Sequence, residues 1–106
     1  MKDDFVTELL RDAQTVFDHW FCMCLVYAGY ELVSIKHTGD KKFEYTVLCP
    51  QFDFEALKQE FTSGQMQIAD ARALGNTNSN LGRIVKEIRR TGPYVNPDFE
   101  RLMEDR

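Results

Sequence analysis

Residues 20 to 30 read WFCMCLVYAGY, a stretch that is apolar on every side if it is helical. Upstream of it, apolar residues recur at intervals of three or four, which is the spacing of one helical face. They are Phe5, Leu9, Ala13, Val16, Trp20, Cys24 and Ala28. This spacing predicts a long N-terminal helix of about 25 residues, which Gly29 is placed to end.

A helix that is apolar on every side has to be covered on every side. Its cover is either the rest of this chain or a second copy of it. We expect a homodimer, and we take Trp20, Met23, Val26 and Tyr27 as candidate interface residues.

A β-hairpin is predicted after this helix. YELVSIKHT (30–38) and KFEYTVLC (42–49) are rich in β-branched and aromatic residues, and Gly39-Asp40 lies between them. In either register of the hairpin, Phe43, Tyr45, Val47 and Cys49 share one side, and we expect that side to cover the first helix.

The hairpin register has two alternatives. A two-residue loop pairs Leu32 with Val47, whereas a three-residue loop pairs Val33 with Val47 and Ile35 with Tyr45. Because a slip of one residue inverts the faces of one strand, the two alternatives place different side chains in the core. The sequence leaves both open.

Two short helices complete the predicted α+β fold, which we expect to be a single domain over residues 1–106. Asp53 is a plausible N-cap for a helix that carries Phe54, Leu57 and Phe61, and QMQIA (65–69) follows as a brief extended piece. Near the C-terminus, Asn96-Pro97 resembles an N-cap followed by proline at the first helical position.

Residues 71 to 92, ARALGNTNSNLGRIVKEIRRTG, have three interpretations, the last of which is a helix broken near Gly75 without a role in DNA binding. The first is a degenerate helix-turn-helix at residues 70–91, broken at Gly75, in which the second helix enters a DNA groove. Asp70 and Asn76 stand where that motif needs apolar side chains. The second is one continuous helix with an apolar stripe, in which Gly75 and Gly82 lie on one side and let another helix approach closely.

This segment is also the basic part of an acidic protein. The 106-residue chain has a net charge of −4, but residues 71 to 92 contain five cationic side chains and one anionic one. The segment is therefore +4 and the remainder −8. Our candidate interaction residues are Arg83, Lys86, Arg89, Arg90, Asn78 and Asn80. They form a solvated face, contact an acidic protein or contact DNA phosphates.

We find no sequence signature of catalysis or of cofactor binding. There is no phosphate-binding glycine loop, HExxH, paired CxxC or nucleophile elbow. His19 and Cys22, with Cys49 and His37, are candidate metal ligands, but we predict no metal site. We expect Cys22, Cys24 and Cys49 to be buried thiols, and the acidic N-terminus and odd cysteine count favour the cytosol over secretion or a membrane.

Three stretches, YAGYELVSIK (27–36), FTSGQMQIADARALGN (61–76) and NLGRIVKEIRRTGPYVNP (80–97), together resemble a group of small proteins of unassigned function. Bacteriophages, prophages and mobile elements encode them. The resemblance implies a bacterial or phage α+β protein of the host cytosol, and it implies no activity. Our prediction is a non-enzymatic protein–protein interaction module, with a small DNA-binding regulator as the alternative.

Overall fold

In the described part of the chain, four strands form one antiparallel sheet, and helices connect or flank them. The first strand in sequence pairs with the third, the third with the second, and the second with the fourth. The computed structural model describes residues 11 to 39 and 42 to 104. The elements are β1 (Ala13–Val16), α1 (His19–Tyr27), β2 (Glu31–Gly39), β3 (Lys42–Leu48), α2 (Gln51–Ser63), α3 (Ala71–Thr91), β4 (Tyr94–Val95) and α4 (Pro97–Glu104). The α+β class is therefore confirmed. Among the described residues, no helix is both long enough and apolar enough to cross a membrane.

The predicted long N-terminal helix is wrong. Residues 13 to 16 form an edge strand instead, in which Val16 lies opposite Tyr45 of β3. A new helix then begins at His19, because the side chain of Asp18 accepts hydrogen bonds from the backbone N–H groups of Trp20 (2.8 Å) and Phe21 (3.2 Å). Helical spacing of apolar residues could not reveal that β3 offers this segment a partner strand. The part of the prediction before residue 11 lies outside the described residues.

Helix α1 is covered by its own chain. Residues 21 to 25 are all buried, and α1 contacts β3, α2 and α3. The ring of Phe21 packs against the rings of Phe54 (5.6 Å between centroids) and Phe61 (5.2 Å) of α2. The apolar surface of α1 is therefore buried against the rest of this chain, which is one of the two possibilities that the sequence allows.

The hairpin contains both predicted registers. Leu32 pairs with Val47, as in the two-residue alternative, and Ile35 pairs with Tyr45, as in the three-residue alternative. A β-bulge at Val33 inserts one extra residue between the two pairs. Leu32 and Ile35 therefore point to the same side although they are three residues apart, and both join the core with Tyr45 and Val47. The predicted inward face of β3 is confirmed.

Helix α3 is continuous over 21 residues, so the helix-turn-helix and the break at Gly75 are wrong. The side chain of Asp70 caps it by accepting from the N–H of Ala73 at 3.0 Å. Leu81 and Ile88 are buried along its inner side, and this packing compensates for the weak helix formers in NTNSN. The close approach of another helix at Gly75 and Gly82 is also wrong, because a Cβ at either position meets nothing within 4 Å.

The short helices differ in detail from their predictions. Helix α2 begins at Gln51 after Pro50, and Asp53 accepts a hydrogen bond from the Tyr30 hydroxyl (3.1 Å) rather than capping the helix. Residues 65 to 69 form no strand, and Ile68 is exposed. The start of α4 is confirmed, since Oδ1 of Asn96 accepts from the N–H of Asp98 at 3.1 Å.

Candidate functional site

The outer side of α3 carries a straight row of polar and cationic side chains. Residues spaced alternately by four and three return to the same side of a helix, because one turn takes 3.6 residues. The exposed residues with this spacing are Arg72, Asn76, Ser79, Arg83, Lys86 and Arg90, and we call them the basic face. From Arg72 to Arg90 the row is about 27 Å long at roughly 1.5 Å per residue.

The cations of the basic face have no ion-pair partner among the described residues. Within residues 11 to 39 and 42 to 104, Arg72, Arg83, Lys86 and Arg90 form no ion pair. Arg83, Lys86 and Arg90 surround a shallow recess of about 400 Å³ together with Glu87. Their charges are available to a partner, since nothing in the described chain neutralises them at contact distance.

Of the four cations that the sequence predicted as interaction residues, three line one recess and one does not. Arg83, Lys86 and Arg90 line the same recess, whereas Arg89 is exposed on a different side of the helix and does not line it. Arg72, Asn76 and Ser79 also belong to the basic face, and our sequence reasoning missed them. On a single helix, alternating steps of four and three residues upstream from Arg83 lead to Ser79, Asn76 and Arg72, so the sequence could have identified all three.

Asn78, a candidate for nucleic-acid contact, has a structural partner instead. Its Oδ1 lies 3.3 Å from Nε2 of His19, while Nδ1 of His19 lies 2.9 Å from the hydroxyl of Tyr45. Because Oδ1 only accepts, Nε2 carries the proton in this bond. Asn78 is half-buried and off the basic face, whereas Asn80 is exposed at its flank.

The four dimer candidates do not share one surface. Trp20 is 58% exposed, but Met23 is buried in the core. Val26 and Tyr27 are half-buried, and the Tyr27 hydroxyl accepts a hydrogen bond from the backbone N–H of Asp70 at 2.9 Å. Of the four candidates, only Trp20 is exposed, and Met23 is already enclosed by this chain.

All three cysteines are buried as free thiols, as predicted. Burial raises the pKa of Cys22 to about 12 and also raises the pKa values of Cys24 and Cys49. The thiols are therefore protonated near neutral pH, which disfavours both nucleophilic attack and metal ligation. In the described part of the chain, no group of three or more His, Cys, Asp or Glu side chains is placed to hold a metal ion.

Comparisons of this chain with protein-family models, with curated proteins and with solved structures find no match. They do not test the resemblance to phage-encoded proteins, which stays a prediction.

Proposed function

We propose that this protein is a non-enzymatic interaction module that binds an acidic surface of another protein through the basic face of α3. The observation that carries the proposal is the row of four cations, none paired with a described residue, on a helix whose opposite side is anchored in the core. The helix already holds these side chains in a straight row. A partner therefore binds without ordering a flexible segment, which lowers the free-energy cost of binding.

A protein partner fits the charge distribution better than duplex DNA does. The chain outside residues 71 to 92 has a net charge of −8, which would repel a polyanion that extends past the helix. Glu87 also lies beside the cations, where it opposes a phosphate but suits a mixed protein surface. A DNA-binding regulator of the helix-turn-helix type needs a turn between two helices, and the continuous α3 has none. The DNA-binding alternative therefore retains only contacts with DNA phosphates.

A photo-crosslinking amino acid at Ser79 tests the proposal, because Ser79 is exposed in the middle of the basic face. The control carries the same crosslinker at Thr62, an exposed position near the end of α2. We expect a covalent protein adduct in a lysate of the source cells from position 79 and not from position 62.

Charge reversal then identifies the contact. We expect the double variant Arg83→Glu/Lys86→Glu to lose the adduct and to weaken binding of the recovered partner by roughly tenfold or more. Arg89→Glu is the matched control, since it reverses an exposed cation of the same helix off the basic face, and it should retain the adduct. Equal losses in both variants, or equal adducts from both positions, would contradict the proposal. Adducts to DNA, lost in the double variant, would favour the regulator instead.

A further inference from the structure

A recess of about 550 Å³ lies at the hairpin end of the sheet, on the side that carries the helices. Its lining is mostly aromatic and consists of Phe17, His19, Thr38, Lys42, Phe43 and Tyr45. The ring of His37 stacks on Phe43 with 4.9 Å between centroids, which steadies one wall. A volume of this size, with aromatic walls and a few polar groups, is typical of a binding site.

The floor of the recess is held in place before anything binds. The Tyr45 hydroxyl and Oδ1 of Asn78 engage the two ring nitrogens of His19, so neither nitrogen is left for a ligand. The caps that Asp18 provides fix the first turn of α1 beside this floor. An occupant therefore meets a floor whose side chains are already held by hydrogen bonds.

The polar groups that remain define the chemistry of the occupant. The Thr38 hydroxyl and the Lys42 ammonium form no hydrogen bond or ion pair with any described residue, and both side chains are exposed. Among the described residues that line the recess, one carries a cation and none carries a carboxylate. The recess is therefore suited to an aromatic ring with a carboxylate close to it, because the ring packs on Phe17 and Phe43 while the carboxylate meets Lys42.

The same chain presents such a group at the other end of the sheet. Phe52, in the first turn of α2, is 84% exposed, the highest exposure among its large apolar side chains that the structure describes. Glu55 is exposed one turn further along the helix, and its Oε1 accepts a hydrogen bond from Nε2 of Gln51 at 2.8 Å. Phe52 and Glu55 are three residues apart, so they lie on neighbouring positions of one helical face.

Phe52 cannot reach the recess of its own molecule. The recess lies where β3 begins at Lys42, and α2 starts beyond the end of β3 at Leu48. Six residue steps along a strand separate these ends by about 20 Å. The ring and the recess therefore lie at opposite ends of the sheet, a separation that allows a head-to-tail contact between copies.

We infer that the protein self-associates head to tail, with Phe52 of one copy inserted into the aromatic recess of the next and Glu55 facing Lys42. This contact goes beyond the acidic-partner proposal and does not use the basic face. One ring and one ion pair bury little area, so the contact is weak, with a Kd of about 0.1–1 mM. Because a head-to-tail contact leaves a free ring and a free recess at the ends, assemblies grow with concentration.

Sedimentation equilibrium measures this growth from about 10 μM to about 2 mM, spanning the expected Kd. The wild-type mass should rise continuously with concentration. Phe52→Ala and Phe17→Ala should each stay monomeric, and both replace exposed side chains, so folding is retained. Trp20→Ala is the matched control, because Trp20 is an exposed aromatic that does not line the recess.

Mixing the two monomeric variants gives the sharpest test. Phe52→Ala keeps the recess and Phe17→Ala keeps the ring, so the mixture should form a 1:1 dimer that grows no further. Lys42→Glu and Glu55→Lys should each weaken association, and the double variant should restore it. A wild-type chain that stays monomeric, a mixture that fails to associate, or a loss in Trp20→Ala alone would overturn the inference. The last result would point to a two-fold contact through α1.

Discussion

Nε2 of His19 lies 3.3 Å from Oδ1 of Asn78, although 59 residues separate the two in sequence. At the other end of α1, the Tyr27 hydroxyl accepts from the backbone N–H of Asp70 at 2.9 Å. Eight residues separate His19 from Tyr27, and eight separate Asp70 from Asn78, so α1 lies antiparallel to the first two turns of α3. These two bonds position the helix that supports the basic face.

We predict that Asn78→Ala destabilises the protein by about 1–2 kcal/mol relative to Asn80→Ala, because it leaves Nε2 of His19 without its partner. Asn80 is exposed on the same helix, so both variants gain the same helix propensity and their difference reports the lost bond. Urea unfolding of the two variants measures this difference. Equal stabilities would show that the bond contributes nothing.

The two interior glycines of α3 should be sites of stabilisation. We predict that Gly75→Ala and Gly82→Ala each raise the free energy of unfolding by up to about 1 kcal/mol, because a Cβ at either position meets nothing within 4 Å. Thermal unfolding should show this as a melting temperature raised by roughly 4–8 °C per kcal/mol.

Gly64 provides the contrast. It ends α2 with φ 76°, where a side chain is strained, so Gly64→Ala should lower the melting temperature. A lower melting temperature for Gly75→Ala than for the wild type would contradict the prediction, because it would mean that a Cβ at this position meets another group.

Stability should fall at alkaline pH. Burial raises the pKa of Cys22 from 9.0 to about 12, so between these values the unfolded chain has lost a proton that the folded chain retains. The stabilisation from the protonated thiol is complete below pH 9 and decreases by about 1.4 kcal/mol per pH unit above it. Burial also raises the pKa of Tyr45 from 10.0 to about 12, which steepens the decline at higher pH.

Urea unfolding at several pH values from 8 to 11 checks this dependence. Cys22→Ala should be less stable at every pH because it leaves a cavity, but its stability should fall less steeply above pH 9. An unchanged slope in this variant would mean that Cys22 does not contribute to the alkaline loss.

Asn96 joins the C-terminal helix to the sheet through two bonds. Its Nδ2 donates to the carbonyl of Leu32 at 2.8 Å, and its Oδ1 caps α4. We predict that Asn96→Ala costs about 1–2 kcal/mol in unfolding free energy. Asn96→Asp keeps the capping oxygen and loses the amide donor, so it should lie between Asn96→Ala and the wild type. If Asn96→Asp were as stable as the wild type, the bond to Leu32 would be dispensable.

Local patterns predicted the elements that depend on neighbours in sequence. The apolar stripe through Leu81 and Ile88 indicated one continuous α3, and the pattern Asn96-Pro97 located the start of α4. The basic face follows from the same helical spacing, so its cations could be found without a structure. Only the choice between one helix and two depended on the tertiary structure, because packing against the core had to offset the weak helix propensities of residues 76 to 80.

Elements that depend on contacts with residues distant in the sequence could not be predicted from local patterns. Residues 13 to 16 have helical spacing, yet they form a strand because β3 satisfies their backbone groups. The bulge at Val33 exists because Leu32 and Ile35 both gain burial only when one residue is left out of the pairing.

The amino-acid sequence by itself determined the α+β class, the hairpin, the buried thiols and the row of cations, since each follows from local spacing and side-chain polarity. Only the tertiary structure decided that α1 is enclosed by its own chain. It also decided that Asn78 holds His19, and that Phe52 and the aromatic recess lie at opposite ends of the sheet. These features join residues that are far apart in sequence, and their free energies arise from contacts that no local pattern encodes.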